Sequence, residues 1–461
     1  MTESPVITSG ESLAEVVGGV VVSRGAGGAP QRAVIDSREV REGDLFVGLP
    51  GSRVDGGSFA AEVLESGAWG ALVSSEWARR QDPGSGWLIG VDDPLRALQD
   101  LARQRRRDLG CRVIGITGSN GKTSVKDICR ALFGADAFAS QENRNTEIGL
   151  PLTILEAPQD TAFLICEMGM RGEGQIAELC EIAEPDVGVI TNVGPVHLEL
   201  LGSMEAIASA KAEILAGIRP GGTAVVPADP GEYLAPHIEG EIEPSPGDRV
   251  AVLRFGDSGE VFASGVEVSD EGISAEVNAP AGSRRFEFPF RERHNLSNAL
   301  AAISAGIASG ISLEEMARRA PEIVFSRLRG ELVRLEGGSV LINDCYNANP
   351  VSMRAALDHL STFSSERQIA VLGEMGEIGG EAAEFHARTG THARDVGVDL
   401  LIGVGPLARS YEPDEWFETA SEAAARLIEI IGGDDTILVK GSRSVGLEEI
   451  AETLDLEAGS A

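Results

Sequence analysis

Lysine is nearly missing from this 461-residue chain. There are four, Lys122, Lys126, Lys211 and Lys440, against 35 arginines. Arginine has taken over the ordinary surface positions, so each surviving lysine is a candidate for chemistry that needs an amine. Positive charge is short altogether: Lys and Arg number 39 against 72 Asp and Glu, a net charge of −33. Such a chain is not expected to bind nucleic acid, which requires cations to neutralise phosphates, or to dock on anionic lipid. An acid excess with so little lysine also resembles a high-salt proteome, though a GC-rich genome would give part of it. The five cysteines, Cys111, Cys129, Cys166, Cys180 and Cys345, are scattered and form no C-x-x-C pair. That argues against a disulfide framework or a zinc ribbon and for buried thiols in a reducing cytoplasm. No apolar run approaches the roughly 18 residues of a membrane-spanning helix. Residues 1–5 carry no basic stretch ahead of an apolar one, so no secretory signal is expected. The expected location is cytoplasmic.

What is present suggests an α/β protein of about three domains. Hydrophobic residues at 43% and charged residues at 24% exclude wholesale disorder. The boundaries expected are 1–109, 110–326 and 327–461. In the first part, 32–35, 44–49 and 70–73 read as strands, and 58–66 and 94–107 as helices. The run Arg105-Arg106-Arg107 is expected to be a solvated helix end. In the second, strands at 113–116, 162–166, 187–191 and 224–226 alternate with helices through 133 and over 204–218, which argues for a parallel sheet covered on both faces. Residues 249–288 read as an antiparallel insert, followed by a helix over 295–309. In the third, strands at 340–342, 369–372, 400–404 and 437–439 alternate with helices near 353–361, 382–395, 421–431 and 447–454, a Rossmann-like unit.

The strongest local signal is Thr117-Gly118-Ser119-Asn120-Gly121-Lys122-Thr123-Ser124, a glycine turn between a strand and a helix. Such a turn directs backbone N–H groups and a helix N-terminus at an anion. Lys122 can reach phosphate oxygens and Thr123 can hold Mg²⁺. The pattern is shorter than the usual phosphate loop, because Ile116 stands where a first glycine would be. Glu167, at the end of a buried strand beside this loop, is well placed as a second Mg²⁺ ligand.

The loop resembles that of the Mur ligases, which build the peptide of bacterial cell-wall precursors, and a related loop occurs in folylpolyglutamate synthases. Further segments resemble the Mur ligases in order along the chain, and within them the branch that adds D-alanyl-D-alanine. These are residues 142–151 (ENRNTEIGLP), 342–350 (INDCYNANP), 372–379 (LGEMGEIG) and 439–443 (VKGSR). The resemblance implies an ATP-dependent amide ligase using UDP-N-acetylmuramoyl-tripeptide and D-alanyl-D-alanine, with Mg²⁺ at two sites, acting as a monomer. It implies a UDP-substrate domain, a central ATP-binding domain and a C-terminal domain for the dipeptide. It makes His197 a metal ligand beside Thr123 and Glu167. It makes Lys211 a fourth, as a carbamate formed with CO₂. Asn295 and Asn298 would border the adenine, although Asn295 could equally be an N-cap. Asp344 would meet the ribose and Arg329 would turn towards ATP. Ser37, Arg38, Asn145 and Thr146 would serve the UDP substrate, and Asn347 and Asn349 the dipeptide. Gly57 and Glu374 depart from the family pattern, which has histidine and aspartate there.

Overall fold

Short runs of Val, Ile, Leu and Ala buried on both faces make strands of parallel sheets sandwiched by helices, and three such sheets organise the chain. The computed structural model describes residues 7–80, 86–140, 144–240, 250–269, 271–335 and 337–458. Residues 1–5, Glu142 and Asn143 lie outside these.

In spatial order the N-terminal sheet runs Val20–Ser23, Trp87–Val91, Gly70–Ser74, Leu45–Val47 and Ala33–Val34, parallel except at the first strand. The middle sheet is wholly parallel: Ala251–Phe255, Thr223–Pro227, Val187–Ile190, Arg112–Thr117, Phe163–Glu167 and Ala137–Ala139. The C-terminal sheet runs Glu331–Arg334, Val340–Asn343, Asp435–Lys440, Arg367–Gly373, Leu400–Val404 and Glu415–Phe417, with only the first strand antiparallel. Two buried hydrophobic clusters belong to each sheet, as an α/β protein of three domains requires.

In the middle sheet, Arg112–Thr117 sits between Phe163–Glu167 on one side and Val187–Ile190 on the other. Successive crossovers therefore leave it in opposite directions, and a crevice opens beyond the carboxyl ends of these three strands. The turn after Arg112–Thr117, the last residue of Phe163–Glu167 and the loop after Val187–Ile190 carry Gly118–Gly121, Glu167 and His197.

Two expectations are corrected here. Ala251–Phe255 is not part of an antiparallel insert. It pairs in parallel with Thr223–Pro227, with Val250 and Phe255 buried on the sheet, after a crossover through the helix Gly231–Gly240. Only Phe262–Ser269, Gly272–Ala279 and Gly282–Phe288 form the antiparallel insert. The arginine run is also not simply solvated. The helix Pro94–Leu109, capped by Asp93 and stopped at Gly110, buries Ala97, Leu98 and Leu101 in the N-terminal core and Ala102 and Leu109 in the middle one. Arg106, 3% exposed, donates to the Ala183 carbonyl at 3.0 Å, the Glu184 carbonyl at 2.9 Å and the Asp186 carboxylate at 3.1 Å. Arg107 pairs with Glu184. The run staples the two units together.

Candidate active site

The phosphate-type loop owes its shape to two glycines. Gly118 and Gly121 have φ of 148° and 78°, and a Cβ on either would collide with Thr191 Oγ1 or Asn298 Oδ1. The loop is braced from the neighbouring strand end. Asn192 Oδ1 accepts from the Asn120 N–H at 3.0 Å, and Thr191 Oγ1 donates to the Asn120 carbonyl at 2.5 Å. Ser119 Oγ is within 3.0 Å of the Gly194 carbonyl and 2.8 Å of its N–H. The helix Lys122–Phe133 starts directly behind the loop without a side-chain cap, so its first N–H groups are left for an anion.

Around the loop lies a cavity of about 670 Å³, walled by the middle and C-terminal units. Lys122 curls back to the Gly118 carbonyl, to which its Nζ donates at 2.8 Å. Burial lowers its pKa, Glu167 opposes this, and Arg329 lowers it further. Glu167 accepts from Thr123 Oγ1 and Asn145 Nδ2, both at 2.9 Å. Arg329 stacks 3.8 Å over the Tyr346 ring and donates to Thr123 Oγ1 at 3.1 Å. Lys211 is 2% exposed and lines the cavity. Among the described residues it has no ion-pair partner, and burial, helped by Lys122, holds its pKa well below the lysine range. His197, with left-handed backbone (φ 58°), lines the same cavity, and its Nδ1 is 2.5 Å from Glu377 Oε2.

The C-terminal wall brings Asp344 and Lys440, which stand at or just past the ends of adjacent strands. Lys440 Nζ donates to Asp344 Oδ2 at 2.7 Å and to the Asn347 carbonyl at 3.0 Å. His294, Glu292 and His359 also line the cavity. His359 Nε2 lies 3.3 Å from Glu292 Oε1. Burial pushes the His359 ring down to about 4, helped by Arg291 and opposed by Asp344.

The sequence-predicted residues divide clearly. Gly118 to Ser124, Asn145, Thr146, Glu167, His197, Lys211, Asn295, Asn298, Arg329, Asp344, Asn347 and Asn349 all line the one cavity. Thr117 lies under the loop, wholly buried. Ser37 and Arg38 are outside the cavity, and Arg38 is spent on its neighbour Asp36, with Nε at 2.9 Å from Oδ1. Asn295 is not an N-cap: the helix Arg293–Ala308 starts before it, and its Oδ1 accepts from Asn298 Nδ2 at 2.9 Å. Asn349 caps the helix Pro350–Leu360, and its Nδ2 reaches Asn120 Oδ1 at 2.5 Å. It thus joins the third unit to the phosphate-type loop. Glu374 turns away from the cavity to accept from the Leu407 N–H. Sequence reasoning assigned no role to Lys440, Glu292, His359, Tyr346 or Glu377. Lys440, Tyr346 and Glu377 lay inside segments already singled out, and Lys440 was marked besides as one of four lysines; Glu292 and His359 carried no signal.

The donor set around Thr123 and Glu167 suits a hard cation that keeps most of its shell as water and phosphate oxygen. Among the described residues no three His, Cys, Asp or Glu side chains gather into a closed metal cage. The five thiols are all buried, and burial raises the pKa of each. They have no part in the site.

Comparison with known proteins agrees along the chain. Residues 33–106 match the Mur ligase family catalytic domain, 116–306 the Mur ligase middle domain, and 328–443 the Mur ligase glutamate ligase domain. The UDP-N-acetylmuramoyl-tripeptide--D-alanyl-D-alanine ligase of Bacillus subtilis (strain 168) is 34% identical, over 91% of this chain and 92% of its own length. Among solved structures, MurF from Acinetobacter baumannii superposes with a TM-score of 0.86 at 28% identity, covering 98% of this chain and all of that one. MurF ligase from Thermotoga maritima, in complex with ADP, has a TM-score of 0.79 at 28% identity, covering 93% of this chain and 98% of that one.

Proposed function

The chain belongs to the Mur ligase family, and on that premise we propose how its residues divide the work of one reaction. The protein is an ATP-dependent ligase that adds D-alanyl-D-alanine to UDP-N-acetylmuramoyl-tripeptide in peptidoglycan-precursor synthesis. The observation that carries this reading residue by residue is the single cavity uniting Lys122, Glu167, His197 and Lys211 with Asp344 and Lys440.

A carboxylate is a poor electrophile at neutral pH, so it must first be activated. The tripeptide's terminal carboxylate attacks the γ-phosphorus of ATP, giving an acyl phosphate and ADP. The dipeptide amine then attacks the acyl carbon, loses a proton, and inorganic phosphate leaves. Lys122 and the loop N–H groups neutralise the transferring phosphoryl group, which is mostly a matter of positioning and charge. Arg329, placed on Thr123 by its stack on Tyr346, adds a cation from the third unit. Asn295 and Asn298 border the base, and Asp344, held by Lys440, receives the ribose hydroxyls. Thr123, Glu167 and His197 would hold Mg²⁺ at two sites, which supplies charge neutralisation on phosphate oxygens.

Lys211 is taken to act as a carbamate. Its depressed pKa keeps the amine neutral, the form that captures CO₂, and the resulting anion would lie beside Lys122. Residues 1–109 would hold the UDP moiety through Ser37 and Arg38, with Asn145 and Thr146 on the middle unit. Residues 110–326 would bind ATP, and 327–461 would bring the dipeptide through Asn347 and Asn349. No helix of the described residues is long and apolar enough to cross a membrane. A monomer in the cytoplasm is the simplest setting.

The test is mass analysis of the products from UDP-tripeptides ending in diaminopimelate or lysine, with ATP and D-alanyl-D-alanine. One UDP-pentapeptide, one ADP and one phosphate per cycle are expected. Phosphate release that needs ATP but no dipeptide, or transfer of glutamate to a folate instead, would overturn the reading.

A further inference from the structure

Glu377 lies outside the cavity lining, yet it touches His197, which is part of that lining. It belongs to the turn that follows the strand Arg367–Gly373, in the third unit, whereas His197 belongs to the loop after Val187–Ile190 in the middle one. Carboxylate oxygen only accepts, so His197 Nδ1 must carry the hydrogen in this 2.5 Å contact. The ring's other nitrogen, Nε2, then keeps its lone pair whenever the ring is neutral.

The contact is built from both sides. His197 and Glu377 each adopt left-handed backbone, φ 58° and 59°, a conformation that non-glycine residues keep only when their surroundings enforce it. On the Glu377 side the turn is nailed down at successive residues. The Met375 N–H donates to Nε2 of the fully buried His386 at 3.0 Å, whose Nδ1–H donates to the Ala382 carbonyl at 2.6 Å. The Gly376 N–H donates to Ser442 Oγ at 2.8 Å. On the His197 side the Glu199 N–H donates to the Glu377 carbonyl at 3.4 Å, and Arg171 stands 3.7 Å from Glu377 Oε1. A carboxylate on a rigid mount thus meets a histidine on a strained loop, across the seam between two units.

We propose that Glu377 is a positioning residue. It fixes the tautomer and orientation of His197, so that the histidine wall of the site is complete only while the third unit is seated on the middle one. This rests on the ligase reading above, and it makes domain seating a condition for chemistry rather than only for dipeptide delivery.

The experiment uses the full-length protein with ¹⁵N-labelled histidine, in which His197→Gln assigns the ring signals of residue 197. In the wild type those signals should report the Nδ1–H form. In Glu377→Ala they should move to the mixed tautomer of a free ring, and kcat should fall about 10- to 100-fold, the usual penalty for removing such a partner of a ligating histidine. KM for ATP should stay within about threefold. Glu377→Gln, which keeps an acceptor at the same reach, should restore the tautomer and most of kcat. Unchanged His197 signals in Glu377→Ala, or an unchanged kcat, would overturn the proposal. A wild type that makes no UDP-pentapeptide would instead sink the ligase reading, while the ring signals still decide whether Glu377 orients His197.

Discussion

Removing the Lys211 side chain deletes an anion if the amine has taken up CO₂, and only a neutral amine if it has not. Added anions should help the variant in the first case alone. Lys211→Ala should lose at least about 100-fold in kcat, roughly 2.7 kcal/mol, and chloride or formate should restore part of it. Wild-type activity should fall in buffer stripped of CO₂ and return with bicarbonate. A degassed enzyme at full activity, with no added mass on the lysine, would end the carbamate proposal. His359 supports a different measurement. Its ring is held down to about 4 by burial and by Arg291, against 6.5 for a free ring. The unfolded chain therefore takes up the proton first, so the stability this neutral ring confers is whole above about pH 6.5. It drains away as the pH falls towards 4, by about 3 kcal/mol. Urea midpoints at pH 7.5, 5.5 and 4.5 should show a shallower loss for His359→Gln than for the wild type. Parallel losses would mean the ring titrates normally.

Among the elements, the helix Pro94–Leu109 is the most exposed to a single substitution, because the buried Arg106 donates at once to two carbonyls and to the Asp186 carboxylate across the seam. Arg106→Ala should cost about 3 kcal/mol and lower the melting temperature by several degrees, without changing KM for ATP in the folded enzyme. A loss below about 1 kcal/mol would show that water reaches the seam. This helix also marks what was legible in the sequence. Its start at Pro94 was readable, and its end was read at 107, two residues short of Leu109. That it shares its apolar face between two cores was not, because periodicity shows a buried face and not its partner. The same limit explains Ala251–Phe255, whose short alternation fits either kind of strand until its crossover is known. In the site, the loop from Gly118 to Thr123 and the acid Glu167 could be read because steric and charge demands act within a few residues. The roles of Glu377 and His359 could not, since both act on residues of another unit; Glu377 stood inside the segment 372–379, but nothing local named His197 as its partner.

At the scale of the molecule the governing quantity is the charge of −33. Like charges at this density repel, and salt shortens the range of that repulsion from about 10 Å at 0.1 M to about 3 Å at 1 M. The melting temperature should rise by about 3 °C or more between 0.1 and 2 M KCl, close to 1 kcal/mol for units of this size. A flat or falling curve would show that the arginine pairs already balance the acid. Arg367 with Asp435, Arg32 with Asp44 and Arg426 with Glu415 are such pairs.

The placement of the four lysines makes the enzyme selectively addressable by acylating reagents. Lys126, Lys211 and Lys440 are at most 3% exposed. Lys122 alone is partly open, and its lowered pKa raises the share of nucleophilic free amine. A mild N-hydroxysuccinimide ester should therefore modify Lys122 ahead of the other three lysines. Nucleotide bound in the cradle should shield it. A fluorophore delivered this way would land at the mouth of the phosphate loop, and the yield of labelling against ATP concentration would trace an occupancy curve without any turnover.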